Sequence, residues 1–162
     1  MNYQKKILTW EEFYLNISSI ASQIVKDDIK VDVLVPVVKG GFIPSVFLGK
    51  HLNIDNYSCI QVRRSKSNLA NCDFEDAKFL GLLNSEIIAN SNILIVEDII
   101  YSGETLELVL KELKKYNPKN IYICSMFNFY TGDKFGKIYY GNKNPSDVNW
   151  IVFPWDYEHP YK

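Results

Sequence analysis

The residues best equipped for chemistry lie in one stretch, Ile93-Leu-Ile-Val-Glu97-Asp98-Ile-Ile-Tyr101-Ser102-Gly103-Glu104-Thr105. Residues 93–96 form an apolar run that reads as a short buried strand, and it delivers two adjacent carboxylates to its C-terminal edge. An open α/β sheet keeps its ligand crevice at that edge. A small residue and a glycine then turn the chain into a helix, and amides of such a turn and of a helix N-terminus point outward toward an anion. Ser102 and Thr105 add hydroxyl donors. The carboxylates precede the anion site by a few residues, where they can accept hydrogen bonds from sugar hydroxyls, so one segment could grip a ribose 5-phosphate at both ends. A Cβ at Gly103 is expected to crowd the approach of phosphate to the amides. The plain alternative is that Glu97 and Asp98 end a strand while Ser102 and Thr105 cap a helix.

A second candidate is Val35-Pro-Val-Val-Lys39-Gly40-Gly41. A strand end, a cation and two glycines can bring backbone amides close to a diphosphate, because glycine adds no bulk. Alone, Lys-Gly-Gly is a common turn. Arg63-Arg64-Ser65-Lys66-Ser67-Asn68 is a polar, basic stretch, and Trp150-Ile151-Val-Phe-Pro-Trp155-Asp156 an aromatic one near the C-terminus. A Trp face suits a nucleobase, although Trp150 and Trp155 could equally serve a core or an interface. His51 and His159 have no partner pattern and read as a helix-surface and a tail histidine.

These residues need elements to position them. Thr9-Trp-Glu-Glu12 is a capping box, and Trp10, Phe13, Tyr14, Ile17, Ile20 and Ile24 follow on one helical face. Residues 31–38 read as a buried strand, 42–52 as a helix with Pro44 in its first turn, and 57–62 as strand-like. Residues 63–75 are polar and without periodicity, which predicts a long mobile loop. Leu106, Val109, Leu110 and Leu113 repeat at helical spacing, 121–127 is another strand, 130–149 is turn-rich, and 150–153 is a last apolar run. Strands alternating with helices predict one domain over residues 1–162, with an open, mainly parallel, twisted sheet flanked by helices.

The chain has 162 residues, 47% hydrophobic, 23% charged and 14% aromatic, with a formal net charge of -1. That is ordinary for a globular domain large enough to fold without staples. The neutral balance argues against a nucleic-acid footprint, and no apolar run reaches membrane-spanning length. Cys59, Cys72 and Cys124 are odd in number and widely spaced, which predicts reduced thiols and a cytoplasmic protein.

The pattern at 93–105 resembles the signature of type I phosphoribosyltransferases: four apolar residues, two acids, two apolar residues, a variable residue, Thr or Ser, Gly, any residue, then Thr or Ser. Every element is present. The resemblance extends over nearly the whole chain and is closest to the short xanthine-guanine and hypoxanthine enzymes. It implies a ribose donor, phosphoribosyl pyrophosphate (PRPP), a nucleobase-like acceptor, nucleotide salvage, Mg²⁺ on the diphosphate and a homodimer or higher homo-oligomer. It further implies catalytic roles for Glu97, Asp98 and Tyr101, and phosphate binding at Ser102, Gly103, Glu104 and Thr105. The pyrophosphate falls to Lys39, Gly40, Gly41 and Arg64, with a peptide before Lys39 that can be cis. The base falls to Trp150, Ile151 and Phe129, and the metal to Asp98 and Asp156. The loop at about 63–76 becomes a lid, or else a solvated basic surface, and residues 128–162 become a small hood over the base.

Two base-reading positions depart from that family pattern. Tyr101 stands where 6-oxopurine enzymes usually carry Asp, and a phenol is a poor base at neutral pH although it can donate a hydrogen bond. After the strand at 121–127 those enzymes place a Lys, whereas this chain has Asn128-Phe129-Tyr130. Loss of both polar groups leaves the acceptor open, and it keeps alive a second reading, a catalytically weak PRPP- or nucleotide-sensing protein on the same fold. A P-loop phosphotransferase is excluded by the absence of Gly-x-x-x-x-Gly-Lys-Ser/Thr.

Overall fold

The computed structural model describes residues 5–63, 77–143 and 150–156. Its main sheet has six strands in the order β4-β3-β2-β5-β6-β7. These are β2 (Val33–Val38), β3 (Ile60–Arg63), β4 (Lys78–Leu82), β5 (Asn92–Ile100), β6 (Asn120–Asn128) and β7 (Ile138–Lys143). All neighbours are parallel except the β3–β4 pair. A separate parallel pair joins β1 (Lys5–Ile7) to β8 (Trp150–Val152).

Strict alternation along β5 explains the layers, because successive strand residues point to opposite faces. Leu94 and Val96 pack with Phe13, Ile17, Ile20 and Ile24 of α1 (Trp10–Lys26) and with Leu48 of α2 (Phe42–Leu52). Ile93 and Ile95 join Leu106, Val109 and Leu113 of α3 (Glu104–Lys114) on the other face. Parallel strands covered on both faces should read as continuous apolar runs, as 33–37 and 93–96 do. The capping box opens α1 as expected: Thr9 Oγ1 accepts from Glu12 N at 3.1 Å, and Thr9 N donates to Glu12 at 2.9 Å.

Several boundaries differ from the sequence reading. β5 extends four residues past Val96, because its pairing with β6 continues to Ile100, so Glu97 and Asp98 lie inside the strand. Tyr57 makes only an isolated bridge to Leu34, and the third strand starts at Ile60. The turn-rich stretch after Tyr130 contains β7, an edge strand with Gly141 at its middle. β4, also an edge strand, was not read at all. Glycine and partial burial blur the alternating signal in both. Of the loop expected over 63–75, Arg63 ends β3, and the remainder, Arg64 and Cys72 included, lies outside the described residues, as does His159.

Candidate active site

At the C-terminal edge of β5 the parallel ladder skips a residue. Glu97 is in register with Ser125 and Ile99 with Phe127, while Asp98 has no register partner. The Ile99 amide donates instead to Asp98 Oδ1 at 2.7 Å. Although consecutive in the strand, Glu97 and Asp98 hold their carboxyls close enough to interact. Glu97 is 8% exposed, and burial followed by the neighbouring Asp98 pushes its carboxyl well above the ordinary range. Burial also pushes Asp98 upward, with Asp156 adding repulsion against the hydrogen bonds that lower it. Two buried, adjacent carboxyls both pushed upward are a site candidate on physical grounds.

The second candidate segment meets them there. β2 ends at Val38, the Val38–Lys39 peptide is cis, and Lys39 is exposed. The Gly41 amide donates to the Val37 carbonyl at 2.9 Å, closing a tight turn into α2. A Cβ on Gly40 would collide with the Asp98 carboxylate, and one on Gly41 with the Val96 carbonyl. Only glycine lets this backbone lie directly against β5. The structure thus brings the Lys39-Gly40-Gly41 turn to β5, with Gly40 against Asp98 and Gly41 against Val96.

The turn after β5 leads into α3 as expected. Tyr101 and Ser102 are exposed, Gly103 is buried at φ +85°, and Glu104 opens the helix with Thr105 half-buried behind it. The structure gives a reason for glycine that the sequence did not. A Cβ at Gly103 would meet Phe135 Cε2 at 2.5 Å and Tyr130 Cδ2 at 3.3 Å. Nothing in the sequence flagged Tyr130 or Phe135 as neighbours of this turn, since the whole of α3 and β6 lies between them and Gly103 in the chain.

Residues 150–156 complete the edge. Phe127, near the end of β6, packs on Phe153 with centroids 6.0 Å apart. Trp150 is 42% exposed, whereas Ile151 is buried in the α1-side core, so any contact it makes with a base uses its backbone. Trp155 stacks on Phe153 at 4.7 Å and meets Phe13 edge-on at 5.3 Å, which makes it a packing residue. Asp156 Oδ2 accepts from the Phe153 amide at 2.9 Å. Tyr101, 67% exposed, lies with its ring 5.3 Å from that of Phe129. An aromatic pair therefore occupies the place where the family pattern carries Asp and Lys.

Comparison with known proteins agrees with this geometry. The phosphoribosyl transferase domain family matches residues 3–162. The chain belongs to the phosphoribosyltransferase family. It is 26% identical to xanthine-guanine phosphoribosyltransferase of Ruegeria sp. (strain TM1040), over 96% of this chain and 89% of that protein. It is 29% identical to hypoxanthine phosphoribosyltransferase of Buchnera aphidicola, over 76% of this chain and 71% of the relative. Among solved structures, the purine phosphoribosyltransferase of Pyrococcus horikoshii superposes with a TM-score of 0.75 at 26% identity, covering 98% of this chain and 97% of that one. The fold is that of a type I phosphoribosyltransferase.

Proposed function

We propose that this chain transfers the 5-phosphoribosyl group from PRPP to a ring nitrogen of a purine-like base in nucleotide salvage. The bond from sugar C1 to the diphosphate oxygen breaks, a C1–N bond forms, and pyrophosphate leaves. One observation carries the reading: Gly40 lies so close to Asp98 that the glycine loop and the acid pair form one site. In that site Glu97 and Asp98 accept from ribose hydroxyls and stabilise positive charge on the sugar as the diphosphate departs. The turn at Ser102, Gly103, Glu104 and Thr105 holds the 5-phosphate, and Lys39, Gly40 and Gly41 hold the pyrophosphate. Arg64 is proposed for the same anion, though it lies outside the described residues.

The donor set suits Mg²⁺. Asp98 and Asp156 each accept from a backbone amide, Ile99 and Phe153 respectively, and Asp156 is near enough to Asp98 to repel its charge. One or two carboxylates plus substrate phosphates are the usual Mg²⁺ environment, and the ion would neutralise the leaving diphosphate. Trp150 supplies a flat stacking face, while Tyr101 and Phe129 line the acceptor's edge within a hood of residues 128–162. An aromatic edge without a cation or carboxylate leaves polar groups of guanine unpaired, so guanine is expected to be a poor acceptor.

The sensing alternative finds no support in these relatives, which carry transferase names. We also propose a cytoplasmic homo-oligomer. Trp10 and Tyr14 of α1 and Phe42 and Val46 of α2 leave apolar side chains exposed. A second copy would cover them, and sedimentation of the Phe42→Lys variant tests it. The main test is calorimetric titration with PRPP and Mg²⁺, followed by pyrophosphate release with hypoxanthine, xanthine, guanine and adenine. Donor binding with release for at least one base is expected. Absence of donor binding sinks the proposal.

A further inference from the structure

The buried side of the Gly103 turn rests on two aromatic rings from a distant segment. Tyr130 and Phe135 lie with centroids 4.7 Å apart, and both pack into the apolar cluster on the α3 face. Gly103 sits directly on them: even a methyl group there would come within 2.5 Å of Phe135 and 3.3 Å of Tyr130. The neighbours of Gly103 in the chain, Ser102 and Glu104, are exposed.

The ring-bearing segment is itself tied down at several points. The Phe129 amide donates to the Ile100 carbonyl at 2.8 Å, immediately before the turn. The Tyr130 amide donates to Asn128 Oδ1 at 3.0 Å, and Lys134 pairs with Glu107 of α3 at 2.6 Å. A short turn closes behind Phe135, with the Gly136 amide bonded to the Asp133 carbonyl at 3.1 Å and Gly136 at φ +66°. The rings are therefore a fixed floor.

We propose that Tyr130 and Phe135 are positioning residues for the donor's phosphate: they support the Gly103 turn from beneath and keep its amides aimed at the anion. This rests on the assignment of that turn as the phosphate site. Backbone amides recognise an anion only when their directions are fixed beforehand, and small displacements of positioning groups cost large factors in rate and binding. Glycine at this position then has two reasons, the left-handed backbone and the ring contact. The second can be separated from the first, because truncating the ring relieves a clash but not a backbone strain.

The experiment is calorimetric titration of the full chain with ribose 5-phosphate, with melting temperatures confirming that each variant is folded. Phe135→Ala is expected to weaken binding about five- to tenfold, the range for residues coupled by contact. Phe135→Leu keeps most of the volume, should lose less, and serves if the alanine variant fails to fold. Gly103→Ala should also bind weakly, and adding Phe135→Ala should restore part of that loss, so the double variant binds better than the product of the singles. In turnover, the donor KM should rise while the acceptor KM stays put, a split that general loosening of the fold would not produce. Unchanged ribose 5-phosphate affinity in the folded Phe135 variants, or strictly multiplicative losses in the double variant, overturns the inference. Failure of the unmodified chain to bind ribose 5-phosphate removes the phosphate site itself, and the positioning role with it.

Discussion

The two ends of the central strand carry similar chemistry and treat it in opposite ways. At the N-terminal end, Asp32 Oδ2 accepts from both the amide and the side chain of Asn92 at 2.9 Å each, and Lys30 approaches Oδ1 at 3.1 Å. Asn120 extends the network by donating to Asn92 Oδ1 at 2.7 Å. The Asn92 amide, with Lys30, holds the Asp32 carboxyl below its ordinary range. Further along β5, Glu97 and Asp98 are buried against each other and pushed the other way. The first end is compensated by the chain's own donors and cross-links the starts of β2, β5 and β6. The second crowds two buried carboxyls and disfavours their charge, which fits the ligand-binding role proposed for them. Functional sites commonly retain such a cost to stability.

The largest effect should follow from removing the charge at the uncompensated end. Glu97→Gln with Asp98→Asn is expected to lower kcat/KM by a hundredfold or more, on the basis of about 1.5–3 kcal/mol per charge-assisted hydrogen bond. The melting temperature of the ligand-free protein should stay level or rise. Normal turnover by a folded double variant would remove the ribose clamp and, with it, the contrast between the two ends. At the other end, Asp32→Ala should cost about 1–2 kcal/mol of stability, since the two Asn92 donors lose their acceptor at a partly solvated site. Turnover per folded molecule should be preserved. A variant that is stable but catalytically impaired would show that the N-terminal end also serves the reaction.

Legibility in the sequence follows the same division. The run from Ile93 to Thr105 could be read because strand, acids, turn and helix are contiguous, and the chemistry needs them in that order. Trp155 was open between core and interface, and the structure places it against Phe153 and Phe13. The Asp32–Asn92–Asn120 network could not be read, because its members are polar residues separated by 60 and 28 positions that meet only once the strands pair. The floor beneath Gly103 was hidden for a related reason: Tyr130 and Phe135 fall in a stretch whose glycines and polar residues suggest turns alone. Edge strands β4 and β7 escaped because half-buried segments interrupted by Gly81 and Gly141 lose their alternation.

A smaller effect should sharpen the picture of the ligand-completed end. Trp150 is exposed and pairs through its backbone with Lys5, so truncating its ring should leave the sheet intact. Base-to-aromatic stacking is worth about 1–3 kcal/mol, which predicts a fivefold or greater rise in the acceptor's KM for Trp150→Ala. Donor affinity and melting temperature should be nearly unchanged. Equal KM values for the acceptor in both proteins would move the base away from Trp150.

The subtlest test uses pH, because the two ends should slope in opposite directions. Asp32 is depressed in the folded state, so its contribution is fully present above the ordinary carboxylate range and is lost as pH falls through the depressed value. Glu97 is raised, so the folded state favours its proton. That contribution is present below the ordinary range and is lost as pH rises through the raised value. Asp98 on the same strand, Cys124 on β6 and Asp156 beyond Asp98 all face this charge, so the acids titrate as a coupled group rather than singly. Urea midpoints measured with a chelator present, from about pH 2 to pH 8, should therefore show two opposing trends, that of Asp32 at the acid end and that of Glu97 above it. Asp32→Asn should lose ground to the unmodified protein as pH rises, whereas Glu97→Gln should gain on it. Parallel curves for the two variants would mean that Glu97 is as well compensated as Asp32, and that the charge at the C-terminal end is not held in reserve for a ligand.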